Sequence, residues 1–236
     1  MKSLACILTL IWHVLANEAH QKNRDNILYF HNCARENVQP PASNMRKMNY
    51  SAEMERLAFD WVRRCRNEHP DPEIYPQFKG TGQNLALMQI DSPDWVTMAQ
   101  IWYDEVTGYD YASDRCRGDC GHYKQMVWAT SHEVGCAAYR CDSLNPEWNP
   151  PAYLLACQYK PQGNFVGTRP YESGRSCSRC PEGSVCERNL CVTRPPDTHE
   201  RPADSENPTD SEKPIDRTRP SARCLPRRLG RAPLDP

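Results

Sequence analysis

Tyr153-Leu154-Leu155-Ala156-Cys157-Gln158-Tyr159 is an almost continuously apolar run. A half-exposed strand alternates apolar and polar residues, so a run without alternation reads as a strand covered on both faces. Upstream, Glu133 to Cys141 is rich in small residues and is a second strand candidate. Gly121 to Ser131 reads as a short helix. A longer helix starts at Ser92, with Pro93 at the first helical position, where its missing N–H costs nothing. Trp95, Ala99, Trp102 and Val106 mark its buried face. From Ala52 the apolar residues Met54, Leu57, Ala58, Trp61, Val62 and Cys65 recur at helical spacing, behind Ser51 as N-cap. A further helix covers Arg24 to Asn37 and stops at Gln39-Pro40-Pro41. Helices flanking a buried sheet give a mixed α/β sandwich.

The wider composition sets the compartment. The chain has 236 residues with 13 cysteines, and 29 Lys+Arg against 30 Asp+Glu. Balanced charge argues against a dedicated nucleic-acid binder, which needs a strongly basic face. With 39% hydrophobic residues, a multi-span membrane protein does not fit. Met-Lys-Ser followed by the apolar run Leu4 to Leu15 and the small-residue site Val14-Leu15-Ala16 predicts a secretory signal over residues 1–16, with Ala19 as a second cleavage candidate. That run is too short for the roughly 20 residues a membrane span needs. The mature protein is therefore expected to be extracellular, where cysteines form disulfides by default. Asn49-Tyr50-Ser51 is the glycosylation sequon, because Asn207-Pro208-Thr209 carries an excluding proline.

After Tyr171 the character changes. Cys177, Cys180, Cys186 and Cys191 crowd a segment with little to form a core, so residues 171–191 need disulfides to hold a shape. Residues 192–236 contain Pro196, Pro202, Pro208, Pro214, Pro220 and Pro226 at every sixth position, separated by polar units. Such a repeat cannot bury enough surface to offset chain entropy, and it is read as a disordered, proline-rich tail.

Two segments carry a family likeness. Gly121-His122-Tyr123-Lys124-Gln125-Met126-Val127-Trp128-Ala129-Thr130-Ser131 is one, and Tyr153 through Tyr159 continuing as Lys160-Pro161-Gln162-Gly163-Asn164-Phe165 is the other. Both resemble, in order and spacing, the two signatures of the CAP superfamily (cysteine-rich secretory, antigen 5 and pathogenesis-related proteins), also called the SCP domain. Supporting matches are His31-Asn32 with Arg35, Gln39 to Met45, Gly82-Gln83-Asn84-Leu85-Ala86 and Trp102-Tyr103-Asp104-Glu105. The likeness leans toward peptidase-inhibitor-like and venom-allergen-like members. It implies a three-layer α-β-α sandwich of the α+β class over residues 21–170, followed by a cysteine-rich hinge.

The resemblance further implies a cleft with two histidines and two acids. By motif match the histidines are His69 and His122 and one acid is Glu105. The second acid position falls on Gln83, a neutral amide that cannot act as general base. Two imidazoles suit Zn²⁺ or another divalent cation, although catalytic zinc usually has three protein ligands. Glu105 would complete the set or act on a bound water, and no cofactor is required otherwise. The alternative is that both histidines are hydrogen-bonded structural residues. Ser131 has no triad spacing to make it a nucleophile. Family members also bind sterols or fatty acids, and the aromatic stretch Trp102, Tyr103, Tyr109 and Tyr111 is the candidate surface, against a role in core and loop packing.

Family pairing implies the disulfides Cys65–Cys141 and Cys136–Cys157, and in the hinge Cys177–Cys186 and Cys180–Cys191. Cys116 and Cys120 fit a local bridge around Arg117-Gly118-Asp119, which is also an integrin-type tripeptide. Cys33 and Cys224 stay open: they pair with each other, pair between chains, or stay free. The leading expectation is a secreted, non-catalytic binding protein with a divalent-metal cleft and a sterol, fatty-acid or protein partner. The alternatives are a metal-dependent extracellular hydrolase and a protease inhibitor, the latter without a recognisable inhibitory loop.

Overall fold

The structure is a computed structural model that describes residues 2–193, with side chains from residue 18. In chain order the elements are α1 (Lys2–Glu36), β1 (Asn49–Tyr50), α2 (Ala52–Val62), β2 (Gly82–Gln89), α3 (Trp95–Asp104), β3 (Tyr109–Asp110), β4 (Arg115–Cys116), α4 (Gly121–Met126), β5 (Glu133–Arg140), β6 (Ala152–Lys160), β7 (Ser184–Glu187) and β8 (Leu190–Thr193). The expected signal segment falls on side chains outside the described range, and the proline-rich repeat lies beyond it. Among the described residues no helix is long and apolar enough to cross a membrane.

The central sheet has the order β1-β5-β6-β2, with β6 antiparallel to both neighbours and β1 parallel to β5. The unbroken apolar run on β6 has a direct explanation. Leu155, Cys157 and Tyr159 face a core shared with α1, α3 and α4, while Leu154 and Ala156 face a second core shared with α2. Trp61 and Val62 of α2 fill that second core with Phe78 and Leu85. Each large side chain buried there contributes about 1.5–3 kcal/mol. The three layers are thus α2, the sheet, and the group α1, α3 and α4.

The helix starts follow local chemistry. Ser51 caps α2, its hydroxyl accepting from Met54 N. For α3 the cap is Asp94 rather than Ser92: the Asp94 carboxylate accepts from Val96 N and Thr97 N, and the helix begins at Trp95. A carboxylate at the cap also meets the positive end of the helix dipole, which favours Asp over the earlier serine. The short helix ends at Met126, five residues before the expected Ser131. Strand β2 was not read from the sequence; it pairs with β6 from Gly82↔Tyr159 to Gln89↔Ala152.

Five disulfides join the described cysteines as expected: Cys65–Cys141, Cys116–Cys120, Cys136–Cys157, Cys177–Cys186 and Cys180–Cys191. Cys33 is disulfide-bonded as well, with its partner outside the described residues, and Cys224 lies there too. Loop Asn44-to-Met48 is tied to the hinge hairpin, with Cys191 N donating to Met45 O at 2.7 Å and Lys47 N to Cys191 O at 3.0 Å. Tyr171 and Leu190 join the main core. The hairpin runs to Thr193, two residues past the expected end of the hinge.

Candidate functional site

Residues of the family-like motifs divide into scaffold and cleft. Arg35 is 1% exposed and donates to the backbone carbonyls of Arg46, Met126, Trp128, Ala129 and Ser131. Burial pulls the guanidinium down to about 9, so it remains protonated at neutral pH. One side chain therefore ties α1 to the loop before β1 and to the segment from the end of α4 to Ser131. The Asn32 carboxamide donates to Met48 O at 3.0 Å and accepts from Met48 N at 2.9 Å. His31 Nδ1 donates to Ile27 O at 2.8 Å, its Nε2 lies 2.8 Å from the Tyr159 hydroxyl, and Asn84 Nδ2 reaches the same hydroxyl at 3.1 Å. These motif residues are structural.

Beside β2 and β6 opens a cleft of about 670 Å³, lined among others by His69, Gln83, Gln125, Gln158, Gln162 and Asn164. His69 follows α2 and is held by Gln83, whose Oε1 lies 2.8 Å from the His69 Nδ1. On the other histidine, Glu105 Oε1 lies 2.6 Å from His122 Nδ1, and Glu105 Oε2 accepts from Tyr123 N at 3.0 Å. Trp102 stacks on the His122 ring with centroids 6.1 Å apart. Both imidazoles are thus oriented through Nδ1, which leaves Nε2 of each as the lone-pair nitrogen. His122 and Glu105 lie outside the lining of the large cleft. Among the described residues, His69, His122 and Glu105 do not gather within 4.8 Å of one another; the group that does is Cys177, Cys180 and Cys191. Those sulfurs are in disulfides, so they cannot supply the thiolates a metal needs.

Ser131 is fully buried; its hydroxyl donates to Pro161 O at 2.6 Å and accepts from Gln125 Nε2 at 3.1 Å. It is a structural serine. The aromatic stretch is drawn together, but as packing. Trp102 is fully buried and donates from Nε1 to Leu85 O. Tyr109 donates to Asp114 and Tyr111 to Tyr171 O, and Tyr111 stacks on Tyr171 with centroids 4.7 Å apart. Tyr103 meets Phe30 and Tyr123 edge-on. Asn49 is exposed, as a glycan acceptor needs to be.

Sequence reasoning missed Gln158. It sits opposite Gln83 in the β2–β6 register and is fully buried, and among the described residues both its amide atoms lack a hydrogen-bond partner, as does Gln83 Nε2. The signal was present: a glutamine inside an otherwise apolar buried strand is the informative exception.

The described domain is a sheet sandwiched between helices, stapled by disulfides and opening on a cleft that His69 lines. Residues 28–159 match the family model described as "CAP: Cysteine-rich secretory protein family". The chain is 36% identical to GLIPR1-like protein 1 of Bos taurus, over 75% of this chain and 74% of that protein. It is 38% identical to Cysteine-rich secretory protein LCCL domain-containing 1 of Mus musculus, over 76% of this chain but only 38% of that protein. Among solved structures, Na-ASP-1 aligns with a TM-score of 0.59 at 26% identity, covering 72% of this chain and 46% of the other. NaASP2 with Zn²⁺ aligns at 0.56 and 27%, covering 71% and 94%. The chain belongs to the cysteine-rich secretory protein (CAP) family.

Proposed function

We propose that this is a secreted, non-catalytic binding protein that takes a divalent cation through His69, at the cleft lining, and His122, outside that lining. The observation that carries this reading is the matched orientation of the two imidazoles, each held at Nδ1 so that Nε2 is free to ligate. The donor set fits a weak site of two imidazoles. Both Glu105 oxygens are already engaged, by His122 and by Tyr123 N, so Glu105 acts as an orienting group rather than a third ligand. The same engagement counts against Glu105 as general base in a hydrolase. A solved relative with Zn²⁺ shares the fold, which supports the choice of zinc as probe. Among the described residues Gln83 Nε2 and both Gln158 amide atoms have no partner, which leaves the cleft floor able to hydrogen-bond a polar partner.

Calorimetry with zinc chloride on the purified secreted protein tests the reading. Wild type binds weakly, and a His69→Ala/His122→Ala double variant does not bind. Equal binding by the two proteins overturns it. Hydrolysis of a broad peptide and ester panel, abolished by chelator and by Glu105→Ala, would put the enzyme reading first. Amphiphile binding is the second reading, on the half-buried rings of Tyr103, Tyr109 and Tyr111. Delipidated protein then takes up a labelled sterol, and Tyr109→Ala/Tyr111→Ala weakens the uptake; a flat wild-type titration removes it.

A further inference from the structure

The cleft makes no use of the loop between β4 and α4. There Arg117, Gly118 and Asp119 are all exposed, and the Cys116–Cys120 disulfide closes the loop around them. Its base is fixed twice. Arg117 N donates to Gly108 O at 2.8 Å, and Cys120 is buried at the cap of α4. At the apex Gly118 has φ +82°, a left-handed conformation in which a β-carbon is strained whatever the free space. The turn at the middle residue leaves both flanking side chains exposed to solvent. Arg117 exerts a weak pull on the exposed Asp110 carboxylate. Among the described residues neither Arg117 nor Asp119 has a side-chain hydrogen bond or an ion pair within 4 Å.

A solvated guanidinium and a solvated carboxylate, one residue apart on a closed loop, form a ligand rather than a scaffold. Surface ion pairs stabilise a fold little, and these two charges are not even paired. A disulfide-closed turn also lowers the ordering cost of binding, because the bound shape exists beforehand. The chemistry that reads such a loop is a guanidinium pocket lined by carboxylates beside a receptor-bound divalent cation. A hard cation takes carboxylate oxygen as a ligand, and Asp119 offers an unengaged one. We propose that the Arg117-Gly118-Asp119 loop is a second binding site, for an integrin-type adhesion receptor, engaged through a cation held by the receptor.

The test uses the full-length secreted protein immobilised on a surface and a purified Arg-Gly-Asp-binding integrin ectodomain as probe. Binding is expected in Mg²⁺ or Mn²⁺, is lost in EDTA, and is blocked by a soluble Arg-Gly-Asp peptide but not by Arg-Gly-Glu. Asp119→Glu keeps the charge but moves the carboxylate by one methylene; it weakens binding by at least about tenfold, as loss of a central anchor does. Gly118→Ala weakens it as well. Both variants retain the wild-type melting temperature within a few degrees and the wild-type zinc titration, which separates this site from the cleft. Absence of wild-type binding, binding that persists in EDTA, or Asp119→Glu binding like wild type each overturns the proposal.

Discussion

His69 donates from Nδ1 to the Gln83 carboxamide oxygen across 2.8 Å. Its counterpart His122 meets a carboxylate at the same ring position, so the two imidazoles are presented by unlike partners. A carboxylate polarises a ligating imidazole more strongly than a neutral amide does. Gln83→Glu is therefore expected to tighten zinc binding about tenfold, and Glu105→Gln to weaken it about 10–100-fold, both read by calorimetry at pH 7. An unchanged affinity for Gln83→Glu would show that the cleft amide does not position His69.

Among the described residues Arg35 is held by carbonyls and by no carboxylate, and that makes the site specific for a planar fork. Arg35→Met leaves several buried carbonyls without donors and should cost at least about 3 kcal/mol. Arg35→Lys, with one ammonium in place of the fork, should cost about 2 kcal/mol or more. Urea unfolding of the secreted proteins gives both figures; a midpoint within error of wild type for Arg35→Lys would sink the assignment.

His31 sets a pH dependence. Burial pushes its pKa from 6.5 down to about 4, since the ring sits in the core between Ile27 O and the Tyr159 hydroxyl. Between those two values the unfolded chain binds a proton that the folded chain refuses. The stability tied to His31 is therefore complete above pH 6.5 and is lost as pH falls toward 4, about 3 kcal/mol in all. His31→Gln is expected to be less stable at pH 7 but to show a flatter slope across that window. An identical slope in the variant would refute the origin assigned here.

Gly135 on β5 lies under the start of α2. A β-carbon there collides with Glu55 N and Ser51 O, which are backbone atoms and cannot swing away. Gly135→Ala should cost about 3 kcal/mol or more, the upper range for overpacking. Gly80→Ala, with open space but φ +76°, should cost about 1 kcal/mol. Similar losses for the two would mean that α2 shifts freely on the sheet.

The layers were legible because β6 reports both faces at once: the residues of a doubly covered strand are all apolar, and the helix periods identify what covers them. Four of the disulfides were implied by the family likeness and Cys116–Cys120 by its local spacing, and the structure pairs His69 with Gln83 and His122 with Glu105. What stayed hidden depended on contacts distant in sequence. Nothing around Gly82 to Gln89 has the alternation of a half-exposed strand, because one end of β2 faces the cleft and the middle is buried on both sides. Trp102 read as a ligand surface because aromatic composition does not reveal that its indole N–H is already bonded to Leu85 O. Gln158 carries no role of its own in the sequence, because only the register sets it opposite Gln83.

The cysteine-rich segment is bonded to the sandwich at several points. Its β8 strand is bonded to Met45 and Lys47, Tyr171 and Leu190 are seated in the main core, and Asn189 and Arg188 clasp Glu36 at the end of α1. Thr193 is consequently a mounting point placed by the contacts of β8 with the domain. A label, an affinity handle or a second module fused there inherits that placement, and cutting the chain before Tyr171 would strip a wall from the core rather than remove an accessory.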